Sequence, residues 1–256
     1  MAQDNEKEVL QLKNRFHDLA ERSFTQGVYT FTGFLGLWEQ DIFWKEEPAL
    51  HYAGVTMYGG QENSDRVMVR FGSTDELGYV ADFPIVCLHI RPLQQKFADE
   101  LSHRDFLGAL MNLGIERSTI GDIKVGQKQA YLFCQDTMAE YICEHLTQVK
   151  HTAVSCRVTD EAVSLPEETP ELVTIQVQSL RADAVLAKVY NLSREKSLDL
   201  FRAGKVFVNG RLCENNSRLL KFGETVNARG FGKFTVSSDC KETRKGKLAV
   251  TVSVFR

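Results

Sequence analysis

The period of the apolar positions changes several times along the chain. Val9, Leu12, Phe16 and Leu19 recur at spacings of three and four in an otherwise polar stretch, which predicts an amphipathic helix. In the aromatic run VYTFTGFLGLWEQDIFW that follows, Trp38, Ile42 and Phe43 predict a second helix ending before Pro48. Tyr52 to Tyr58 and Arg66 to Phe71 read as two strands around the turn GGQENS. PIVCLHI is a strand of the buried type. SHRDFLGALMNLG reads as a helix: Ser102 and Asp105 fit a capping box, Phe106, Leu107, Leu110 and Leu113 form one face, and Gly114 fits the stop. IGDIKV and QAYLFC then predict a hairpin through Gly126 and Gln127, DTMAEYICEHLTQV a helix, and TAVSCRV a strand.

Strand, helix, strand, strand, helix, strand is the ferredoxin-like or RNA-recognition-motif-like order, a sheet backed by two helices. After it, VSLPEETPE holds two prolines among acids and reads as a linker. The expected class is α+β. Residues 1–80 form an N-terminal helical and β-hairpin segment, 81–165 the motif-like domain, 166–175 the linker and 176–256 a C-terminal domain.

The C-terminal pattern is dense. A helix starting near Ser179 puts Val185, Leu186, Val189 and Tyr190 on one side and ends before Asn191. Ser193 is an N-cap for a second helix whose small or apolar positions are Ser197, Leu200, Phe201 and Gly204, the last at its C-terminal turn. From Lys205 the alternation sets Val206 and Val208 inward and Phe207 outward, and Asn209-Gly210 is a hairpin turn. A strand returns through Thr225 to Ala228, after Gly223 and before Arg229-Gly230. The tail KETRKGKLAVTVSVFR either completes this sheet or reaches RNA with Lys241, Arg244, Lys245 and Lys247.

Charge changes this picture. The formal net charge is -3, yet residues 176–256 hold 16 Lys+Arg against 7 Asp+Glu, leaving 15 against 27 in residues 1–175. SREKSLDLFRAGKVFVNGR alone, at 193–211, carries five basic residues and two acidic ones. Arg181, Arg194, Lys196, Lys205, Arg211, Arg229 and Lys233 are expected to gather near one edge, at the N-terminus of the helix that Ser193 caps. Backbone donors ringed by Arg and Lys suit phosphates, so the expected ligand is structured RNA, read by shape and released by salt. The candidate RNA-binding residues are these seven with Ser193 and Asn209, whose turn role already accounts for it.

R-x-D-x-x-L, S-R, the small residue at 197, L-F, G-K-V-x-V-N-G, G-E and R-G together resemble the RNA-binding module named after ribosomal protein S four, or alpha-L motif, over residues 179–236. With HRDFLGALMNLGIERSTIGDI and FTGFLGLWEQ ahead of it, essentially the whole chain resembles the bacterial YlmH family; Gly33, Gly36, Leu37 and the stretch Gln61 to Val69 depart from its pattern. The resemblance implies a protein that binds the large ribosomal subunit, through ribosomal RNA and peptidyl-tRNA, in ribosome-associated quality control of stalled translation. Ribosomal proteins are further expected partners, and a link to cell division is a weaker implication.

Rival classes leave weaker traces. Pseudouridine synthases often carry the same small module, but their R-L-D-x-x-T-S-G loop is absent, and Arg181-Ala182-Asp183 sits in a helical pattern, so no enzyme is expected. A structural partner in cell division with incidental RNA affinity is the third reading. His103-Arg104-Asp105 resembles a kinase catalytic loop without its Asn or its glycine-rich strand, so Asp105 is read as a cap. His89 is read as a strand residue. The six cysteines show no C-x-x-C pair, and of Cys143, His145, His151 and Cys156 the first two stand two apart on a predicted helix and so face different ways, so neither metal nor cofactor is expected. No apolar run approaches the ~20 residues of a membrane span, and the acidic start MAQDNEKE is unlike a signal peptide, so the expectation is a cytoplasmic protein with no membrane or small-molecule partner. Tyr131 and Phe133 share one face of a middle strand, as a base-stacking pair would, and are read as core or protein contact in preference.

Overall fold

The computed structural model describes residues 2–62, 64–159, 170–243 and 246–255, which divide into two compact units, 1–166 and 167–256.

In the first unit, helix α1 (Ala2–Gln26) lays Phe16, Leu19 and Ala20 against α2 (Leu37–Leu50), with the Phe16 and Phe43 rings edge to face at 5.2 Å. Gly27, at φ +64°, ends α1 in the left-handed region. Helix α2 does not stop before Pro48. It runs on to Leu50 because a proline in the last turn forfeits only one backbone bond, and the fully buried Leu50 anchors the end. Strands β1 (Thr30–Phe31), β2 (Val55–Tyr58) and β3 (Met68–Phe71) form a small antiparallel sheet in the order β1-β3-β2, behind which Val69 and Phe71 join the helix core. The sequence pattern missed β1, which is two residues long, and placed the start of β2 within what is a 3-10 turn, His51–Ala53. The short helix α3 (Thr74–Leu77) follows.

Next come β4 (Ile85–Pro92), α4 (His103–Asn112), β5 (Ile120–Gly126), β6 (Gln129–Gln135), α5 (Asp136–His145), β7 (Gln148–Val149) and β8 (Thr152–Thr159). The antiparallel order β5-β6-β4-β8-β7 is the expected motif-like sheet with one added edge strand, β7, and α5 is correspondingly shorter than its apolar pattern. Asp105 accepts both the N–H and the hydroxyl of Ser102 at 2.8 Å, so it is a cap. Ala130, Leu132 and Cys134 face the helices. On the other face, Phe133 is buried with Phe34 and Met68 of the preceding segment. Two glycines permit that closeness: a Cβ on Gly60 would collide with the Phe133 ring, and one on Gly121 would stand 2.6 Å from Phe34. The expected division between residues 1–80 and 81–165 is therefore bridged by shared core.

The second unit has two helices on one face of a six-stranded antiparallel sheet, ordered β11-β10-β12-β13-β14-β9. Its elements are β9 (Glu171–Val177), α6 (Ala182–Val189), α7 (Arg194–Arg202), β10 (Val206–Val208), β11 (Arg211–Leu212), β12 (Thr225–Ala228), β13 (Gly232–Glu242) and β14 (Leu248–Phe255). The proposed linker 166–175 is corrected here. Its last five residues belong to β9, which pairs with β14 from Glu171↔Val254 to Val177↔Leu248 because Ile175 and Val177 are core residues; 166–169 lie outside the described residues. The basic tail completes the sheet as β14, with Arg244 and Lys245 also outside the described residues.

Candidate nucleic-acid interface

Ser193 caps α7, its hydroxyl accepting the Lys196 N–H at 3.2 Å. One turn on, Ser197 is completely buried and donates its hydroxyl to the Asp183 carbonyl of α6 at 2.9 Å. A larger side chain there would hold the helices apart, so the small residue at 197 sets their spacing. Gly204, at φ +61°, stops α7, and the Lys205 N–H returns to the Leu200 carbonyl.

Arg181 precedes α6 and forks onto Asp183, Nε to Oδ1 at 3.1 Å and Nη2 to Oδ2 at 2.8 Å. Asp183 is 4% exposed and also accepts the Asn216 amide at 2.9 Å. The Arg181 hydrogen bonds hold this carboxyl below the usual carboxylate range, against an opposing effect of burial. The N–H groups of Ala182 and Asp183 donate to the carbonyls of Arg218 and Asn216. The loop thus clasps the start of α6, and of the two helices it is α7 whose N-terminus stands among exposed Arg194 and Lys196.

The candidates divide by position. Arg181 and Arg194 line one cavity of about 510 Å³, together with Lys188 and Lys247. Lys205 and Arg229 are neighbours just beyond the adjoining ends of β10 and β12, the Arg229 N–H bonded to the Lys205 carbonyl at 2.9 Å. Nine residues of α7 span about 14 Å, so these two groups flank its opposite ends rather than one edge. Lys233 lies over the Phe255 ring at 5.5 Å, in register with Asn227 and so on the Phe207 face. Arg211 pairs with Val208 at the far end of β10. Asn209 (φ +50°) and Gly210 (φ +76°) form the turn, and the Asn209 side-chain carbonyl accepts the Thr225 N–H at 2.9 Å.

Phe207 corrects another expectation. It points to the face away from the helices yet is 1% exposed, and the Arg229 guanidinium stands 5.1 Å from its ring centre. A cation on an aromatic face keeps its charge at the surface while covering the ring. Lys188, Gln176, Gln178 and Asn191, which also line the cavity, were not among the candidates, while Lys247 is one of the tail cations for which the sequence left two readings open. A signal for Lys188 and Asn191 existed: with Ala184 and Ala187 they follow the helical period on the side opposite the apolar stripe.

On the middle sheet, the Tyr131 and His89 rings stack in parallel, 4.5 Å apart at 6°. Each thus covers one face of the other. Cys143 and Cys156 are free thiols with Sγ atoms 3.4 Å apart. Among the described residues no group of three or more His, Cys, Asp and Glu is arranged for a metal, and no helix is long and apolar enough to cross a membrane.

Comparisons with known proteins gave a family model, a solved structure and a curated relative. A family model described as "Putative RNA-binding domain in YlmH" matches residues 79–162, the segment of the motif-like sheet. A solved structure, the cell division protein ylmH from Streptococcus pneumoniae, aligns with a TM-score of 0.45 at 19% identity, covering 59% of this chain and 91% of that one. The ribosome-associated protein quality control protein P2 of Bacillus subtilis (strain 168) is 31% identical over 199 residues, which is 77% of each chain. An identity of that size over three-quarters of both proteins reaches well beyond one module, and the chain belongs to the YlmH family.

Proposed function

We propose that this protein binds RNA and works, without catalysing a reaction, in ribosome-associated quality control in the cytoplasm. Its C-terminal unit grips ribosomal RNA of the large subunit and the peptidyl-tRNA of a stalled complex. The observation that carries the reading is a capped α7 N-terminus beside exposed Arg194 and Lys196, with exposed Lys205 beyond the other end of the helix. The side chains of Lys188, Arg194, Lys196 and Lys205 make no hydrogen bond or ion pair with another described residue. Cations left unpaired in this way can exchange their counterions for phosphates at little structural cost. The relative from Bacillus subtilis carries quality control in its name, which supports the cellular role, and the matching family model names RNA binding for the middle domain.

The test is purification of the tagged protein from cells with stalled translation. Large subunits with peptidyl-tRNA are expected in the eluate, in salt-dependent amounts. Recovery of neither, at low salt, would refute the reading.

A further inference from the structure

The cavity of about 510 Å³ beside α6 combines two kinds of chemistry. One wall is the polar face of α6, where Ala184 and Ala187 are small enough to leave room and Lys188 and Asn191 follow them; the other is the end of β9, with Gln176 and Gln178. Arg194 of α7 and Lys247, just before β14, complete the rim. Arg181 and Asp183 also reach it, but their fork cancels one charge against the other. Lys188, Arg194 and Lys247 are left as a surplus of positive charge. Gln176, Gln178 and Asn191 each offer an amide with both a donor and an acceptor, the pattern that matches the edge of a nucleobase. None of these six side chains is hydrogen-bonded or ion-paired to another described residue. A volume of this size lies within the range of small-ligand sites.

We propose that the cavity receives a single nucleotide extruded from RNA, its phosphates held by Lys188, Arg194 and Lys247 and its base edge read by Gln176, Gln178 and Asn191. This rests on the RNA-binding reading above and adds to it a preference for RNA that offers an unpaired nucleotide. It also gives β9 and the basic tail, both outside the 179–236 module, a part in recognition.

The test uses the full chain and four short RNA hairpins with a single bulged A, C, G or U, beside the same hairpin without a bulge. The wild type is expected to bind at least one bulged hairpin about tenfold more tightly than the plain one, the size of one favourable base contact. Ala187→Phe fills the cavity and leaves every charge in place, and Gln178→Ala removes one reading group on an exposed strand end. Both are expected to lower the preference, Ala187→Phe to none, while affinity for the plain hairpin persists. Equal binding of all five hairpins by the wild type, or a preference unchanged in both variants, overturns the proposal. Free nucleoside monophosphates provide the remaining arm: displacement of the bulged hairpin at concentrations near its own dissociation constant overturns RNA as the source. Binding of no hairpin at all fails the RNA-binding reading itself, a different result from equal binding.

Discussion

The guanidinium of Arg181 donates to both carboxylate oxygens of Asp183, two residues on, and so is already committed to an internal partner. Asp183 in turn holds Asn216, and its carbonyl receives Ser197 from α7. One residue thus ties α6 to the 215–219 loop and to the second helix. Asp183→Ala is expected to destabilise the C-terminal unit by about 2–3 kcal/mol, because it strands a partly covered guanidinium and a side-chain amide. Hydrogen exchange of peptides spanning 182–208, where protection should fall, measures this.

The same pair sets an acid limit. The folded-state pKa of Asp183 is lowered, chiefly by Arg181, so the ionised form contributes stability above its unfolded value of roughly 3.9, and that stability is lost as pH falls through the folded value. Stability of the C-terminal unit should be insensitive to this group near neutrality and decline below about pH 4. In Asp183→Asn that decline should be shallower; an identical acid profile for variant and wild type would remove Asp183 from the explanation.

Asn209 is expected to matter for folding more than for RNA. Its backbone is left-handed and its side chain holds the start of β12, so Asn209→Ala should cost about 1–2 kcal/mol through the strained φ and the lost hydrogen bond. RNA affinity of the folded fraction should stay within about twofold. A large loss of affinity with unchanged stability would place Asn209 at the interface instead.

Arg66 makes a corresponding bridge in the first unit. It donates to the carbonyls of Phe34, Arg117 and Ile120 at 2.8 to 3.0 Å, while Asp122 accepts the N–H groups of Asp65 and Arg66 at 2.8 and 3.0 Å. Arg66→Ala takes the charged donor from the Phe34 and Arg117 carbonyls and leaves the Ile120 carbonyl only Arg117, at 3.3 Å, and should cost about 2–4 kcal/mol. Urea unfolding followed by Trp38 and Trp44, both packed on the α1–α2 core, reads it directly. A loss below about 0.5 kcal/mol would mean that the clasp is incidental.

Legibility followed the range of the interaction. Ser193, Ser197, Gly204 and Asn209-Gly210 were readable because a cap, a small contact and a turn are decided within a few residues, and each stands where the pattern puts it. β9 was misread because PEETPE carries local linker chemistry, whereas its pairing with β14 lies more than 70 residues away in sequence. Alternation gave Phe207 its face but not its burial, because it says nothing of an Arg229 lying over the ring. The number of basic residues was visible throughout; their separation by the length of α7, and the Arg181–Asp183 fork, required the fold.

The most direct test of the central claim is co-sedimentation of the purified protein with large ribosomal subunits, with and without peptidyl-tRNA, at several salt concentrations, beside Arg194→Glu combined with Lys205→Glu. These two residues lie at opposite ends of α7, so the variant weakens both cationic groups at once. The account predicts that the wild type sediments with the subunits, more so with peptidyl-tRNA, that salt releases it, and that the variant sediments far less, its residual binding showing a salt slope shallower by about two. Equal sedimentation of variant and wild type would contradict it, leaving the basic face of the C-terminal unit as solvated surface.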